Sequence, residues 1–332
     1  MSFLRSFLSF TAEKRRKSLL AFKVEKESSF KVDAASAPNE GKITKRSSSS
    51  LLLNSFARGT EGKCFGGNYA AGRTNEGRVD LNRNFPSWKE RGKVNLLEGK
   101  EQETQLVMEW ILKNPFVLSA NFHDGAVLAN YPYDDYRSSA SRRRGGVSVT
   151  PDHDVFVHLA KTYASNHPYM EDTSQVCEHW GFFKDGITNG ADWYEVRGGM
   201  QDFNYDFSNA MEITVEVSCC KYPNRTQLLP EWENNMRSLI AYVEQAQRGV
   251  RGYVRDEQMK PVTEADIQVR KSTETEWRGK NVTSDALGRY WRILLPGTYQ
   301  MRAVRGYSLS PEQTVQITSS QIYRRVDFQL NQ

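Results

Sequence analysis

Met211-Glu212-Ile213-Thr214-Val215-Glu216-Val217-Ser218-Cys219-Cys220-Lys221 is the stretch on which the reading of the fold turns. Met211, Ile213, Val215 and Val217 alternate with Glu212, Thr214 and Glu216, a period of two that predicts a strand with two carboxylates on one side. Upstream, Leu106, Val107, Trp110 and Ile111 recur at helical spacing and predict a helix near 101–113. Phe116 to Phe122 then reads as a short buried strand that delivers His123 at its end. Phe156, Leu159, Ala160 and Tyr163 mark a second helix, and Trp232, Met236, Leu239, Ile240 and Val243 a third, with Pro230 at a favourable first-turn position. A carboxylate-bearing strand set between helices suits an α/β sheet whose strand ends line a site.

The texture changes on both sides of this region. After about Gln247, short alternating runs at Val250–Val254, Ala265–Val269, Tyr290–Leu294, Tyr299–Ala303, Val315–Ile317 and Val326–Leu330 are separated by turns such as Leu287-Gly288 and Pro296-Gly297. They predict a small all-β sandwich or barrel over 248–332. Residues 1–55 are rich in Ser, Lys and Ala with no sustained period and read as a solvated, disordered tail. The expected organisation is therefore a basic tail over 1–55, an α/β domain over 56–247 and a β-domain over 248–332.

Charge follows the same division. Residues 1–50 hold eleven Lys/Arg against five Asp/Glu, which leaves 34 against 35 in the other 282 residues of a chain whose net charge is +5. The folded part thus lacks the electrostatic footprint of a nucleic-acid groove. No uninterrupted apolar run approaches the roughly 20 residues of a membrane-spanning helix. Phe3-Leu4 and Phe7-Leu8 are split by Arg5 and followed by Lys14-Arg15-Arg16-Lys17, so no secretory signal is read. Four cysteines without a CxxC pair exclude a zinc ribbon or thioredoxin-type site. Cys219 and Cys220 are too close along the chain to favour a mutual bond, and Cys64 and Cys177 are possible partners for them. The sequons Asn224-Arg225-Thr226 and Asn281-Val282-Thr283 lean towards an oxidising compartment.

Taken as bare chemistry, Arg73, Asn82 and Arg83 lie in a Gly- and Asn-rich loop, and two guanidiniums with an amide are what binding a carboxylate requires. Gly72-Arg73-Thr74-Asn75, Val79-Asp80-Leu81-Asn82-Arg83-Asn84-Phe85-Pro86, Ser119-Ala120-Asn121-Phe122-His123 running on to Asn130-Tyr131-Pro132-Tyr133-Asp134-Asp135, Asn189-Gly190-Ala191-Asp192-Trp193-Tyr194, Gly198-Gly199-Met200-Gln201-Asp202-Phe203-Asn204-Tyr205 and the 212–221 stretch occur in one order. Together they resemble the zinc metallocarboxypeptidases, specifically the regulatory N/E subfamily, over roughly residues 55–332.

The resemblance implies a mixed-sheet α/β metallocarboxypeptidase domain, partial at its amino-terminal side, followed by a small all-β transthyretin-like sandwich. It implies zinc-dependent hydrolysis releasing C-terminal Lys or Arg from peptides and proteins, in the secretory pathway or outside the cell. Asn82 and Arg83 would hold the terminal carboxylate and Tyr194 would close over it. Arg73 would stabilise the oxyanion, Glu216 would act as general base and then acid, and His123 would be a zinc ligand. Asp134 and Gln201 would line the pocket for the basic side chain, a buried carboxylate there needing a cationic partner; the alternative is that Asp134 and Asp135 form a solvated loop pair. Arg142-Arg143-Arg144 is assigned to an exposed loop, with a processing site as the sharper alternative.

Two departures qualify that expectation. The family takes its first two zinc ligands from an upstream His-x-x-Glu motif, and none of the five histidines here, at 123, 153, 158, 167 and 179, is followed three residues later by Glu. A catalytic zinc needs three protein ligands and an open position, so hydrolysis is expected to be impaired. The alternatives are a catalytically inactive module that binds peptide C-termini or a truncated isoform. Asp124 also stands where the subfamily usually has Gly.

Overall fold

A computed structural model of the chain describes residues 8–11, 73–172, 177, 183–320 and 322–331. Most of the expected 1–55 tail, together with Cys64, Gly72 and His179, lies outside the described residues.

The first sheet is five-stranded and mixed. Its elements are β1 (Leu8–Thr11), helix α1 (Gln102–Lys113), β2 (Phe116–His123), β3 (Ala126–Tyr131), helices α2 (Ser139–Arg144) and α3 (His153–Ser165), β4 (Ile187–Asn189), helices α4 (Gly190–Trp193) and α5 (Met200–Phe207), β5 (Met211–Ser218) and helix α6 (Leu228–Glu244). Strand order is β1-β2-β5-β3-β4. β2 runs parallel to β5, with Ser119 opposite Glu212 and His123 opposite Glu216. β3 runs antiparallel to β5 and parallel to β4. β1 pairs antiparallel with β2 through Leu8 opposite Ala120 and Ser9 opposite Ser119. Four residues of the segment expected to be a solvated arm thus occupy the outer edge of β2, whose backbone groups would otherwise be unpaired.

Alternation works as expected in β5. Ile213, Val215 and Val217 join Leu118, Ala120 and Phe122 of β2 in a core closed by Phe156, Leu159 and Tyr163 of α3 and Leu239 and Tyr242 of α6. Glu212 and Glu216 share the opposite face. A second, smaller core joins Phe85, Met108, Ile111, Met200 and Phe203 under α1 and α5.

Two helices form where the spacing places them, with Ile111, Val107, Leu239, Trp232 and Val243 on the core as expected but the buried faces rotated away from Leu106, Trp110, Met236 and Ile240. In α1 the buried residues are Thr104, Met108 and Ile111, while Trp110 is 43% exposed and Leu106 half-exposed. In α6 they are Asn235, Ser238, Leu239 and Tyr242, and Ile240 is 55% exposed. Two buried polar groups on the α6 face are satisfied across the core: Tyr163 Oη donates to Asn235 Oδ1 at 2.9 Å and Tyr242 Oη to Ser119 O at 2.7 Å. Arg142, Arg143 and Arg144 are exposed as expected, but they end the short helix α2 rather than lying in a loop, and Arg142 pairs with Glu195 at 2.8 Å.

From residue 249 the chain is all β: β6 (Gly249–Arg255), β7 (Asp266–Lys271), β8 (Val282–Thr283), β9 (Arg289–Arg292), β10 (Gly297–Arg305), β11 (Ser308–Leu309), β12 (Gln313–Ile317), β13 (Tyr323–Arg325) and β14 (Phe328–Gln329). One sheet is ordered β11-β10-β7-β8 with β12 also on β10, and the other β13-β6-β14 with β9 also on β6. Inward residues such as Val254, Ile267, Val269, Tyr299, Met301 and Ala303 make one core between them. The architecture is the expected α/β domain followed by a small all-β sandwich.

Charge fastens the β-strands to the α/β part. Asp152, fully buried just before α3, accepts from Arg292 at 2.7 Å, from Arg278 at 2.8 Å and from Tyr205 Oη at 2.8 Å. Asp154 takes the other arm of Arg278 at 3.0 Å and Lys271 at 3.0 Å. Asn209 is joined to Thr283 by three hydrogen bonds, and Lys280 donates to Ser208 O. Removing one member of a buried ion network leaves the others uncompensated, typically at about 3–5 kcal/mol. Asp152→Ala is therefore expected to lower unfolding stability by about that amount in a denaturant titration, whereas Glu109→Ala, which breaks the exposed pair with Lys113, should change it by less than about 1 kcal/mol.

Candidate active site

The parallel register of β2 and β5 brings His123 and Glu216 side by side at the strand ends, with Nδ1 of His123 2.8 Å from Oε2 of Glu216. Arg73 reaches the same imidazole, its Nη1 3.2 Å from Nε2. Arg73 is held in turn by Asp80, which accepts from its Nε at 2.7 Å. Asp80 also accepts the backbone N–H of Asn82 at 3.1 Å, so one carboxylate fixes both the guanidinium and the turn that carries Asn82 and Arg83. Asn82 Oδ1 accepts from Met200 N at 2.9 Å, docking that turn on the start of α5. Gly198 makes the approach possible: its φ is +67°, and a Cβ there would lie 2.5 Å from Arg83 O. Arg83 itself is exposed.

Buried carboxylates lie beside this turn. Asp134 and Asp135 are both buried, so they are not a solvated pair. Asp134 Oδ1 accepts from Gln201 Nε2 at 2.8 Å and from Asn130 Nδ2 at 3.3 Å. Burial pushes its carboxyl up to about 7, against the pull of the Asn130 hydrogen bond and of the Arg83 and Arg137 charges. Asp202 shapes the turn from below, accepting the backbone N–H groups of Asp134 at 2.9 Å and Asp135 at 3.0 Å. Arg137 covers the lower side, 2.7 Å from Asp206 and stacked on the Tyr133 ring. Gly190 packs so closely that an added Cβ would fall on Asp134 Oδ1. Tyr194 is 41% exposed at the rim, and burial together with the Glu216 and Asp134 charges pushes its hydroxyl up to about 12.

All eight residues singled out in the sequence, Arg73, Asn82, Arg83, His123, Asp134, Tyr194, Gln201 and Glu216, therefore converge on one region. Three neighbours were not singled out. Asp202 and Gly190 sit inside the quoted sequence blocks, where their positions carried the only signal. Lys221 closes the last block, and its ammonium lies 3.1 and 3.2 Å from the two ring nitrogens of His123. Glu212, the other carboxylate of β5, is fully buried against Ser119 and Asn204, and burial pushes it up to about 7.

The described residues do not fit a catalytic zinc. Among them no three His, Cys, Asp or Glu side chains gather to hold a metal. Both ring nitrogens of His123 already face other groups, Glu216 and Arg73. The other described histidines make contacts elsewhere: His153 against the Tyr131 ring, His158 with Gln245 at 3.0 Å and His167 against Tyr169.

Cys177 and Cys219 form a disulfide just beyond β5, which decides between the possible partners for Cys219, and Cys220 is disulfide-bonded as well. Of the two sequons, Asn224 is exposed, while Asn281 is half-buried. Among the described residues no helix is long and apolar enough to cross a membrane.

Comparison with known proteins gives the arrangement a family. The zinc carboxypeptidase model matches residues 66–238 and the carboxypeptidase regulatory-like domain matches residues 249–331. Carboxypeptidase D of Drosophila melanogaster is 43% identical over 279 residues, covering 83% of this chain and 19% of that protein. Carboxypeptidase D of Homo sapiens is 43% identical over 261 residues, covering 77% of this chain and 18% of that protein. Carboxypeptidase M of Mus musculus is 42% identical over 234 residues, covering 70% of this chain and 50% of that protein. The chain thus spans about a fifth of the length of the carboxypeptidase D relatives. A mixed sheet with His123 and Glu216 in register, a guanidinium-and-amide turn beside buried carboxylates, and an all-β domain behind it agree with the family match: this chain belongs to the zinc carboxypeptidase family.

Proposed function

We propose that this chain recognises peptides and proteins by a C-terminal Lys or Arg, at a carboxypeptidase site whose hydrolytic step is impaired. The observation that carries this reading is Asp134: a buried carboxylate hydrogen-bonded to two amides and, among the described residues, without an ion-pair partner. Such a group is costly unless a cation compensates it, and a ligand's basic side chain supplies one. Arg83 and Asn82 then bind the terminal carboxylate through charge-assisted hydrogen bonds. Tyr194 covers the ligand from the rim, and Arg73 faces the last peptide carbonyl. Gln201 holds Asp134 and lines the same pocket.

The hydrolytic reading rests on Glu216 beside His123, the family's base and one of its metal ligands. It requires zinc, which the described residues do not fit. The two readings separate by metal analysis of the purified chain alongside release of free Arg from a peptide ending in Arg. Little zinc and no release, with the peptide still bound, supports recognition. About one zinc per chain with chelator-sensitive release establishes hydrolysis. Secretory or extracellular placement is part of the same proposal, supported by the Cys177–Cys219 disulfide and the exposed Asn224 sequon.

Recognition makes three measurable statements. Arg83→Ala should weaken binding of an Arg-terminated peptide by about 10- to 100-fold by fluorescence anisotropy, the loss of one or two charge-assisted bonds. Binding should also depend on pH. Burial holds the Asp134 carboxyl at about 7 rather than at its ordinary 3.8, and a cationic ligand needs the ionised form. Affinity for the Arg-terminated peptide is therefore expected to fall as pH drops below about 7, by up to about tenfold per unit, while Asp134→Asn flattens the profile. Gly190→Ala should abolish preference for a basic C-terminus, because its methyl group needs the space of Asp134 Oδ1; an unchanged preference for Arg over Ala termini would contradict the pocket.

A further inference from the structure

A small cavity lies where the β-domain meets the α/β domain, away from the carboxypeptidase site. Its polar lining is Asp152, Tyr205, Asn209, Lys280 and Arg292, and the rest of its wall is apolar. It has room for about one water-sized particle. Positive charge at this joint exceeds negative. Asp152 is shared by Arg278 and Arg292, Asp154 by Arg278 and Lys271, and Asp206 by Arg91 and Arg137. Lys280 comes in addition: among the described residues no carboxylate pairs with its ammonium, which donates to Ser208 O at 2.8 Å. Burial, with the Arg292 and Arg91 charges, pushes that ammonium down to about 8 against the pull of Asp206 and Asp152.

Hydrogen-bond donors are left over as well. An ammonium has three N–H groups and a side-chain amide two; Lys280 uses one on Ser208 O and Asn209 one on Thr283 O. Arg292 is 2% exposed, and its Nε–H is buried without an acceptor. Asp152 is already engaged, one oxygen by both guanidiniums and the other by the Tyr205 hydroxyl.

We infer that this joint binds one small monovalent anion, chloride, among Lys280, Arg292 and Asn209, and that the anion helps to fasten the β-domain to the α/β domain. A buried cation is costly unless it is paired, and buried N–H groups need acceptors; one halide meets both requirements. The size of the cavity favours a single-atom anion over sulfate or phosphate. Lys280 and Arg292 come from the β-domain and Asn209 from the α/β domain, so the anion bridges the two, with an attraction that is strong away from bulk water.

The test follows thermal unfolding of the full chain in sodium chloride and in sodium gluconate, whose anion is too large for the cavity, for wild type, Lys280→Met and Asn209→Asp. At about 0.15 M salt, wild type is expected to unfold about 2–4 °C higher in chloride than in gluconate. Lys280→Met removes the unpaired charge, and Asn209→Asp supplies a carboxylate from the protein itself, so in both the difference between the salts should vanish. General salt effects on the protein surface act on all three chains alike, and each chain is its own reference, so a change in overall stability does not mimic the result. Asn209→Asp keeps every cation in place and decides the matter even where Lys280→Met does not fold. Equal stability of wild type in the two salts would overturn the inference and leave the cavity to water. A chloride dependence that persists in a folded variant would overturn the placement among these residues.

Discussion

His123 and Glu216 meet because β2 and β5 run parallel in one register, and the rest of the site is arranged around that pair. The side-chain period of a strand is two, so slipping either strand by one residue would turn its polar set into the core and its apolar set out. The core holds the register. Leu118, Ala120 and Phe122 alternate with Ser119, Asn121 and His123, and Ile213, Val215 and Val217 alternate with Glu212, Thr214 and Glu216, so both strands press their apolar side onto α3 and α6. Ser119 and Glu212 repeat the His123–Glu216 pairing four residues earlier, at a buried position where the carboxylate is satisfied by Ser119 and Asn204. One pair is closed in by α5 and the other stands at the open strand ends, which separates structure from chemistry along a single strand.

Burying so many carboxylates is costly unless each has partners, and the structure meets the requirement differently at each place. Asp206 is neutralised by two guanidiniums, Arg91 at 2.8 Å and Arg137 at 2.7 Å. Asp152 is neutralised by Arg278 and Arg292 from the β-domain, so satisfying one buried charge also fixes how the two folded parts meet. Asp202 accepts two backbone N–H groups. Among the described residues Asp134 is hydrogen-bonded by the Gln201 and Asn130 amides, as Glu212 is by Ser119 and Asn204, and burial pushes both carboxyls up to about 7.

Much of this was legible in the sequence. Alternation over 211–217 and the apolar run ending at His123 specify their strands because a half-buried sheet imposes the period directly. The short runs after 247 do the same for the β-domain. Helix existence was also legible, but helix rotation was not. Asn235 faces inward on α6 while Met236 and Ile240 face out, because the Tyr163 hydroxyl needs an acceptor that periodicity does not weigh. β1 escaped notice because four residues in a basic, Ser-rich tail carry too little pattern, and their pairing depends on an edge far away in sequence. The site residues were found through quoted blocks in a shared order. Lys221 belonged to a block, yet its contact with His123 is 98 residues distant and has no local signature.

The two halves of the site differ in what they require. The recognition half is anchored by the protein itself: Asp80 orients Arg73 and the Asn82 turn, Met200 N fixes Asn82, and Asp202 fixes the backbone that carries Asp134. Its groups are held before any ligand arrives, so little ordering cost remains to be met on binding. The reacting half depends on positive charge placed next to Glu216. In the family that charge is a metal ion able to bind and activate water; here Arg73 and Lys221 are the described cationic groups beside His123. The Asn82 turn and the backbone carrying Asp134 are fixed by contacts to α5, whereas His123 and Glu216 are fixed by the register of β2 and β5, so the two halves of the site are held by separate parts of the fold.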